Sequence, residues 1–359
     1  MKSSSSLKTI AVLVSSLLLP VTSLAANSDF NTAFKDYNLA LENNDAVLEL
    51  QYARLAFDLG KLKFGEDNIN SANLALNLAT ALTKNAQKSQ AMTFYQLALD
   101  IYRTNGDAID DIELIDPLTL LADATTNNKQ ARSLLNEAIN ISEDSGNPLL
   151  HAKTLMLAFK RLVNTEFYTS RVKQFLIDAE TIYVQHLPAN SADRVDATYL
   201  LGSVLLWEKQ YSEAETKLLQ AIKEYSLLDY DHPFELSAHA KLVEIYSLQD
   251  EPTKATEHCV AIGNMTPWEA NQEQTPLFRS NPNYPRSKLI QRKEGLVQLS
   301  LTIDKNGFVT NPKVIKSKGG KSFEIEALKA LEKWRYAPKF VDGKPVEAET
   351  TLQLDFSIG

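Results

Sequence analysis

With 359 residues, 44% of them hydrophobic and 23% charged, the chain has material for more than one sizeable core and contains no low-complexity tract. Its formal charge of −8 is unevenly spread: residues 277–359 carry 15 Lys and Arg against 9 Asp and Glu, while residues 1–276 carry 22 against 36. The basic excess is small and lacks an aromatic-basic pattern, which speaks against a nucleic-acid partner, and the single cysteine, Cys259, excludes an internal disulfide or a multi-cysteine zinc site.

Residues 1–25 read as a secretory signal peptide. Lys2 and Lys8 give a basic start, Ile10–Leu19 is the apolar core, and Ser23-Leu24-Ala25 is a small-x-small cleavage site. The apolar run is about half the ~20 residues that span a bilayer, and Pro20 ends it. The expectation is a mature chain that begins near Ala26, in the periplasm; the alternative is a retained membrane anchor.

Residues 26–263 contain few glycines or prolines and are expected to be helical. A small–x3–large–x2–small pattern recurs at Ala91/Tyr95/Ala98, Ala131/Leu135/Ala138, Val172/Leu176/Ala179, Ala214/Leu218/Ala221 and Ala255/Cys259/Ile262. The starts are 40, 41, 42 and 41 residues apart, a period that signals a helical solenoid in which each repeat buries its face against its neighbours. Partner helices precede the patterns, as in Leu201-Gly202-x2-Leu205 and Leu242-Val243-x2-Tyr246. These pairs resemble tetratricopeptide repeats in a lengthened form, without the signature tryptophan. An atypical opening pair, Asp29–Leu41 and Asp45–Phe64, is expected to cap the array.

Asn264–Asn281 breaks the period with Thr-Pro and Asn-Pro steps and reads as an extended linker, with Trp268 and Phe278 available to pin it. Residues 282–359 then read as a small α+β domain. Val297, Leu299, Leu301 and Ile303 alternate on one face of a strand, Asp304-Lys305-Asn306-Gly307 supplies a turn, and a second strand is expected around Pro312–Ser317. Ser322 is placed to cap a helix whose apolar face runs through Phe323, Ala327, Leu328, Leu331 and Trp334 and which Pro338 stops. Thr350–Phe356 alternates again, with Leu352, Leu354 and Phe356 inward. The order strand–strand–helix–strand gives one helix on an antiparallel sheet.

Five motifs of this region, in order, resemble the C-terminal domain of the TonB energy transducers: Asn281-Pro282-Asn283-Tyr284-Pro285, Glu294-Gly295-Leu296-Val297, Asp304-Lys305-Asn306-Gly307, Trp334-Arg335-Tyr336-x-Pro338 and the closing strand. The resemblance implies a structural core at Gly295, Gly307, Trp334, Tyr336 and Pro338. It also implies that a receptor segment adds as a strand at Asn281, Pro282, Tyr284, Pro285 and at Thr350, Thr351, Leu352, Gln353 and Leu354. Asn281 stands where the family often has Gln, and the long Pro-rich spacer of the transducers is missing between the two domains.

Chemistry is sparse. None of the five histidines (His151, His186, His232, His239, His258) has metal-ligand spacing, so no metal is expected. The acidic pairs Asp110-Asp111 and Asp229/Asp231 fall in turns, where carboxylates cap rather than catalyse. No nucleophile elbow, phosphate loop or dinucleotide fingerprint occurs. The expectation is a non-enzymatic protein with no cofactor and no small-molecule substrate. Its partners would be TonB-dependent outer-membrane receptors or other envelope proteins, with a peptidoglycan-binding structural protein and an anchored transducer as the alternatives.

Overall fold

The computed structural model describes residues 29–106, 110–228, 230, 232–266 and 274–358. The signal segment 1–25, Trp268, Asp229 and Asp231 lie outside the described residues. The chain divides into two compact units, residues 1–145 and 146–359.

The first unit is built of antiparallel helix pairs: α1 (Phe30–Glu42) with α2 (Ala46–Phe64), α3 (Ile69–Lys84) with α4 (Lys88–Thr104), and α5 (Ile115–Ala124) with α6 (Asn128–Asp144). Asp29 and Asp45 cap the opening pair, accepting from the backbone N–H groups of Thr32 at 2.8 Å and Leu48 at 3.0 Å. The repeat pattern explains the packing. Ala91, Tyr95, Ala98, Ala131, Leu135 and Ala138 are all sealed from solvent, so small residues let the paired backbones approach. Glu49, although buried, is held by Lys84 of α3 at 2.8 Å.

The second unit continues with α7 (Pro148–Leu162), α8 (Ser170–His186), α9 (Ala192–Trp207), α10 (Tyr211–Tyr225), α11 (Pro233–Leu248) and α12 (Pro252–Met265). Val172, Leu176, Ala179, Ala214, Leu218, Ala221, Ala255, Cys259 and Ile262 are buried between consecutive helices, as their spacing requires. Buried acids on α8 and α10 are matched by cations: Glu180 with Lys217 and Glu224 with Arg194, each at 2.7 Å.

The rest of this unit is an α+β domain. Strands β2 (Gly295–Ile303), β3 (Val309–Lys318) and β7 (Ala348–Phe356) form an antiparallel sheet in the order β3-β2-β7, covered on one face by α14 (Lys321–Leu331). A short helix α13 (Arg286–Ile290) precedes β2. Small strands β1 (Pro276–Phe278) and β4 (Arg335–Tyr336) pair with each other, and β5 (Lys339–Val341) pairs with β6 (Lys344–Val346). Strand β1 lies within the stretch expected to link the domains. Its Phe278 packs with Leu277 against Val243, Cys259 and Ile262 of α11 and α12.

Two local expectations differ from the structure. The helix begins at Lys321 behind Gly319-Gly320, so Ser322 sits inside the first turn and its buried Oγ caps nothing. The helix also stops at Leu331 rather than at Pro338. Trp334 follows a turn, and the chain then straightens into β4 with Trp334 still buried.

Candidate functional site

The domain core is made by Val297, Leu299, Leu301 and Ile303 of β2 facing Phe323, Ala327 and Leu331 of α14, closed by Trp334, Tyr336 and Phe356. At roughly 1.5–3 kcal/mol for each large apolar side chain buried, these contacts dominate the stability of so small a sheet. Burial raises the Tyr336 phenol to about 12. Gly295 leaves room for the Phe323 ring, which a Cβ there would meet at 2.4 Å. Gly307, at φ +82°, closes the β2–β3 turn, and its carbonyl accepts from the Tyr336 N–H at 2.9 Å; a Cβ at Gly307 would sit 2.1 Å from the Tyr336 carbonyl oxygen. Asp304 completes this turn by accepting from the N–H groups of Asn306 at 2.9 Å and Phe308 at 2.8 Å.

The 281–285 motif wraps one end of this core. The Trp334 indole N–H donates to the Ser280 carbonyl at 2.9 Å, and the Arg279 guanidinium lies 5.2 Å from the Trp334 ring centre. Tyr284 stands edge-on to Phe323 at 5.6 Å and to Phe356 at 6.0 Å, and its hydroxyl donates to the Lys293 carbonyl at 2.7 Å. Tyr284 therefore meets the C-terminal end of β7. Pro282 and Pro285 are half-buried and Asn281 is exposed.

Among the described residues, strand β7 is paired on one side only. Its nine residues match β2 one for one, from Gly295 opposite Phe356 to Ile303 opposite Ala348, without a bulge. Leu352 and Leu354 lean on the core and are half-buried, while Thr351 and Gln353 are exposed on the other face. Every second N–H and C=O of this strand points away from the sheet, an unpaired row that a further strand could complete. The opposite edge, β3, is a poor acceptor. It has two register shifts, contains Pro312, and carries Lys313, Lys316 and Lys318.

Several residues at this site could not be read from the sequence pattern. Gln298 donates through its amide to Gln353 Oε1 at 2.9 Å across the open face of the sheet. That same face floors a cleft of about 720 Å³ lined by Ser300, Thr302, Asn311, Lys313, Glu347, Glu349 and Thr351. Away from the sheet, His239 of α11 and His258 of α12 are buried with their Nδ1 atoms 2.7 Å apart. Only the pairing of two helices brings these residues together, so their sequence separation gave no signal. Burial lowers the His239 imidazole to about 4, with the neighbouring His258 adding to the effect, and burial also lowers His258. Among the described residues no group of three or more His, Cys, Asp or Glu could hold a metal ion.

Residues 280–358 match the family model for the Gram-negative bacterial TonB protein C-terminal, and this stretch is a TonB-type C-terminal domain preceded by helical repeats. Protein TonB of Pseudomonas aeruginosa is 32% identical over 83 residues, which cover 23% of this chain and 24% of that protein. The solution NMR structure of the Pseudomonas aeruginosa TonB CTD is 30% identical, covering 25% of this chain and 90% of that one, with a TM-score of 0.22. The crystal structure of the apo form of RapI is 15% identical, covers 66% of this chain and 84% of that one, and gives a TM-score of 0.49. The chain spans about a quarter to two-fifths of the length of the curated relatives it matches. Among the described residues no helix is long and apolar enough to cross a membrane.

Proposed function

We propose that this chain is a periplasmic binding or adaptor protein of TonB-dependent outer-membrane transport. Its C-terminal domain takes up an extended receptor segment by strand addition at β7, and its helix pairs hold a second envelope protein. The observation that carries the reading is the unbulged β7 edge, unpaired among the described residues, in contrast to the opposite β3 edge, which has two register shifts, Pro312 and three lysines. A segment laid along β7 satisfies several backbone groups together, at about 3.3 Å per residue. Arg286, Lys288 and Arg292, near the 281–285 motif, set association rate and salt sensitivity rather than the bound register.

The test uses the full chain and labelled peptides from receptor N-terminal segments, with anisotropy as the readout. Adjacent positions of β7 point their N–H groups in opposite directions, so Thr350→Pro and Thr351→Pro form a matched pair. The variant whose N–H faces outward is expected to keep the fold by circular dichroism and lose binding at least tenfold. The other is expected to damage the sheet. Unchanged binding in both, or no binding of any such peptide to the unmodified chain, overturns the reading. A peptidoglycan-binding role is the second reading, motivated by the hydroxyl- and amide-lined cleft above Ser300 and Thr302. Retention on isolated sacculi with no peptide binding would favour it.

A further inference from the structure

The open face of the sheet segregates charge, and this bears on what kind of strand β7 accepts. Directly opposed residues of an antiparallel pair share a face. Because β2 sends Val297, Leu299, Leu301 and Ile303 into the core, Leu296, Gln298, Ser300 and Thr302 lie on the open face. Opposite the first three on β3 stand Lys318, Lys316 and Lys313. Opposite the four on β7 stand Asp355, Gln353, Thr351 and Glu349, and Glu347 precedes the strand at the same cleft. Cations thus line one edge and carboxylates the other, two strand spacings apart or roughly 10 Å, too far for ion pairs across the face. The Glu349 carboxylate makes no ion pair among the described residues, and Asp355 accepts only from the Gln353 side-chain amide, at 3.0 and 3.2 Å. The other face of β7 presents Thr350, Leu352 and Leu354, half-buried at the sheet's rim.

Resting on strand addition at β7, we infer that the accepted segment is a cationic amphipathic strand. It carries Lys or Arg at two positions six residues apart, beside Glu349 and Asp355, with small polar residues between them on that face. Apolar residues occupy the three alternating positions against Thr350, Leu352 and Leu354. The pattern occupies seven residues and about 20 Å, and it holds for a parallel or an antiparallel addition, since both preserve the alternation of faces. A segment with acids at the two outer positions would set like charges beside each other across the strands, which is unfavourable. An acidic segment has no better site at β3, where the lysines stand but the bulges and Pro312 interrupt the ladder.

Three seven-residue-core peptides test this on the full chain by anisotropy: Lys at both outer positions, Glu at both, and a peptide of the same composition as the first with its lysines moved to the apolar face. The first is expected to bind about tenfold more tightly than either other at low salt, with the gap closing at high salt. Glu349→Gln with Asp355→Asn should remove the preference, and Glu349→Lys with Asp355→Lys should reverse it; both positions are exposed, so the fold is kept. Equal affinities for the three peptides, all abolished by the outward-facing β7 proline, would overturn the charge rule while leaving strand addition intact. Equal binding of the two lysine peptides would overturn it as unpatterned attraction. Binding indifferent to both β7 prolines, or absent for all three peptides and for receptor segments, would overturn strand addition and the charge rule with it.

Discussion

The helix pairs and the C-terminal sheet domain exclude water with opposite kinds of side chain. Between α9 and α10 the seam is made by Gly202, Ala214, Leu218 and Ala221, in which small residues flank one leucine in a pattern repeated at a fixed spacing. In the sheet domain the aliphatic face of β2 is closed by Tyr284, Phe323, Trp334, Tyr336 and Phe356, five rings drawn from positions scattered over more than seventy residues. The first design spreads stability over many similar contacts between neighbours; the second concentrates it in a few contacts that each close a long loop. Damage should therefore be graded and local in the helices and collective in the sheet domain.

Trp334→Ala is the largest expected effect. Removing a large aromatic that is 3% exposed, together with its hydrogen bond to the Ser280 carbonyl, should cost about 3–5 kcal/mol. The sheet signal in a thermal melt of the full chain should fall well ahead of the helical one. Ala214→Gly in a helix seam should cost only about 1 kcal/mol and shift one transition slightly. A Trp334→Ala melt that matches the unmodified protein breaks the comparison, because the rings would then not be the domain's foundation.

The two designs meet at Gly263, near the end of α12. A Cβ there would stand 2.4 Å from the Pro338 carbonyl oxygen and 2.9 Å from the Phe340 ring. Backbone as well as ring must yield, so Gly263→Ala should cost about 1–3 kcal/mol, in the range of overpacked cores. Hydrogen exchange should quicken in β5 and in the last turn of α12, and leave α7–α8 protected. Faster exchange throughout the helices would show that they respond collectively too.

The same contrast governs what could be read from sequence. The repeat was legible because Ala131, Ala214 and Ala255 report a local geometry that recurs every forty-odd residues. The strands β2 and β7 were legible through their alternation, and Gly307 through its turn. Trp334 was placed in the right core but on the wrong element, since helical spacing continues past the point where Glu332-Lys333 turns the chain. Ser322 looked like a cap, yet Gly320 supplies the entry to the helix. Strand β7 was anticipated from alternation and its part in strand addition from the family resemblance, but the features on which the proposal rests are matters of register: the absence of bulges and the Lys and acidic rows at the two edges of one face. Register depends on which residues oppose each other, and alternation alone leaves it open. His239 and His258 were invisible for a related reason, since their contact exists only once α11 lies against α12.

That histidine pair gives the smallest prediction and separates the two regions by pH. All five histidines precede residue 259, so the sheet domain has none to titrate. The His239 and His258 rings are 4.9 Å apart, and His258 stacks at 5.6 Å on Tyr246, whose hydroxyl donates to Glu215 at 2.8 Å. Lys254, 3.5 Å from Glu215, adds a cation to the surroundings. With the His239 imidazole lowered to about 4 by burial, the unfolded chain holds its proton more firmly than the folded one. The neutral pair's full stability is present above about pH 6.5, and it is lost as pH falls toward 4. The expected loss is about 1–2 kcal/mol, confined to α11–α12 and the β1 contacts that rest on it. His239→Gln keeps a polar partner for His258 and should flatten this pH dependence while leaving the sheet domain's melt unchanged between pH 7 and 5. Should the sheet domain instead be the first to loosen over that range, or should His239→Gln follow the unmodified protein at every pH, acid would not discriminate between the regions and the buried pair would have no part in stability.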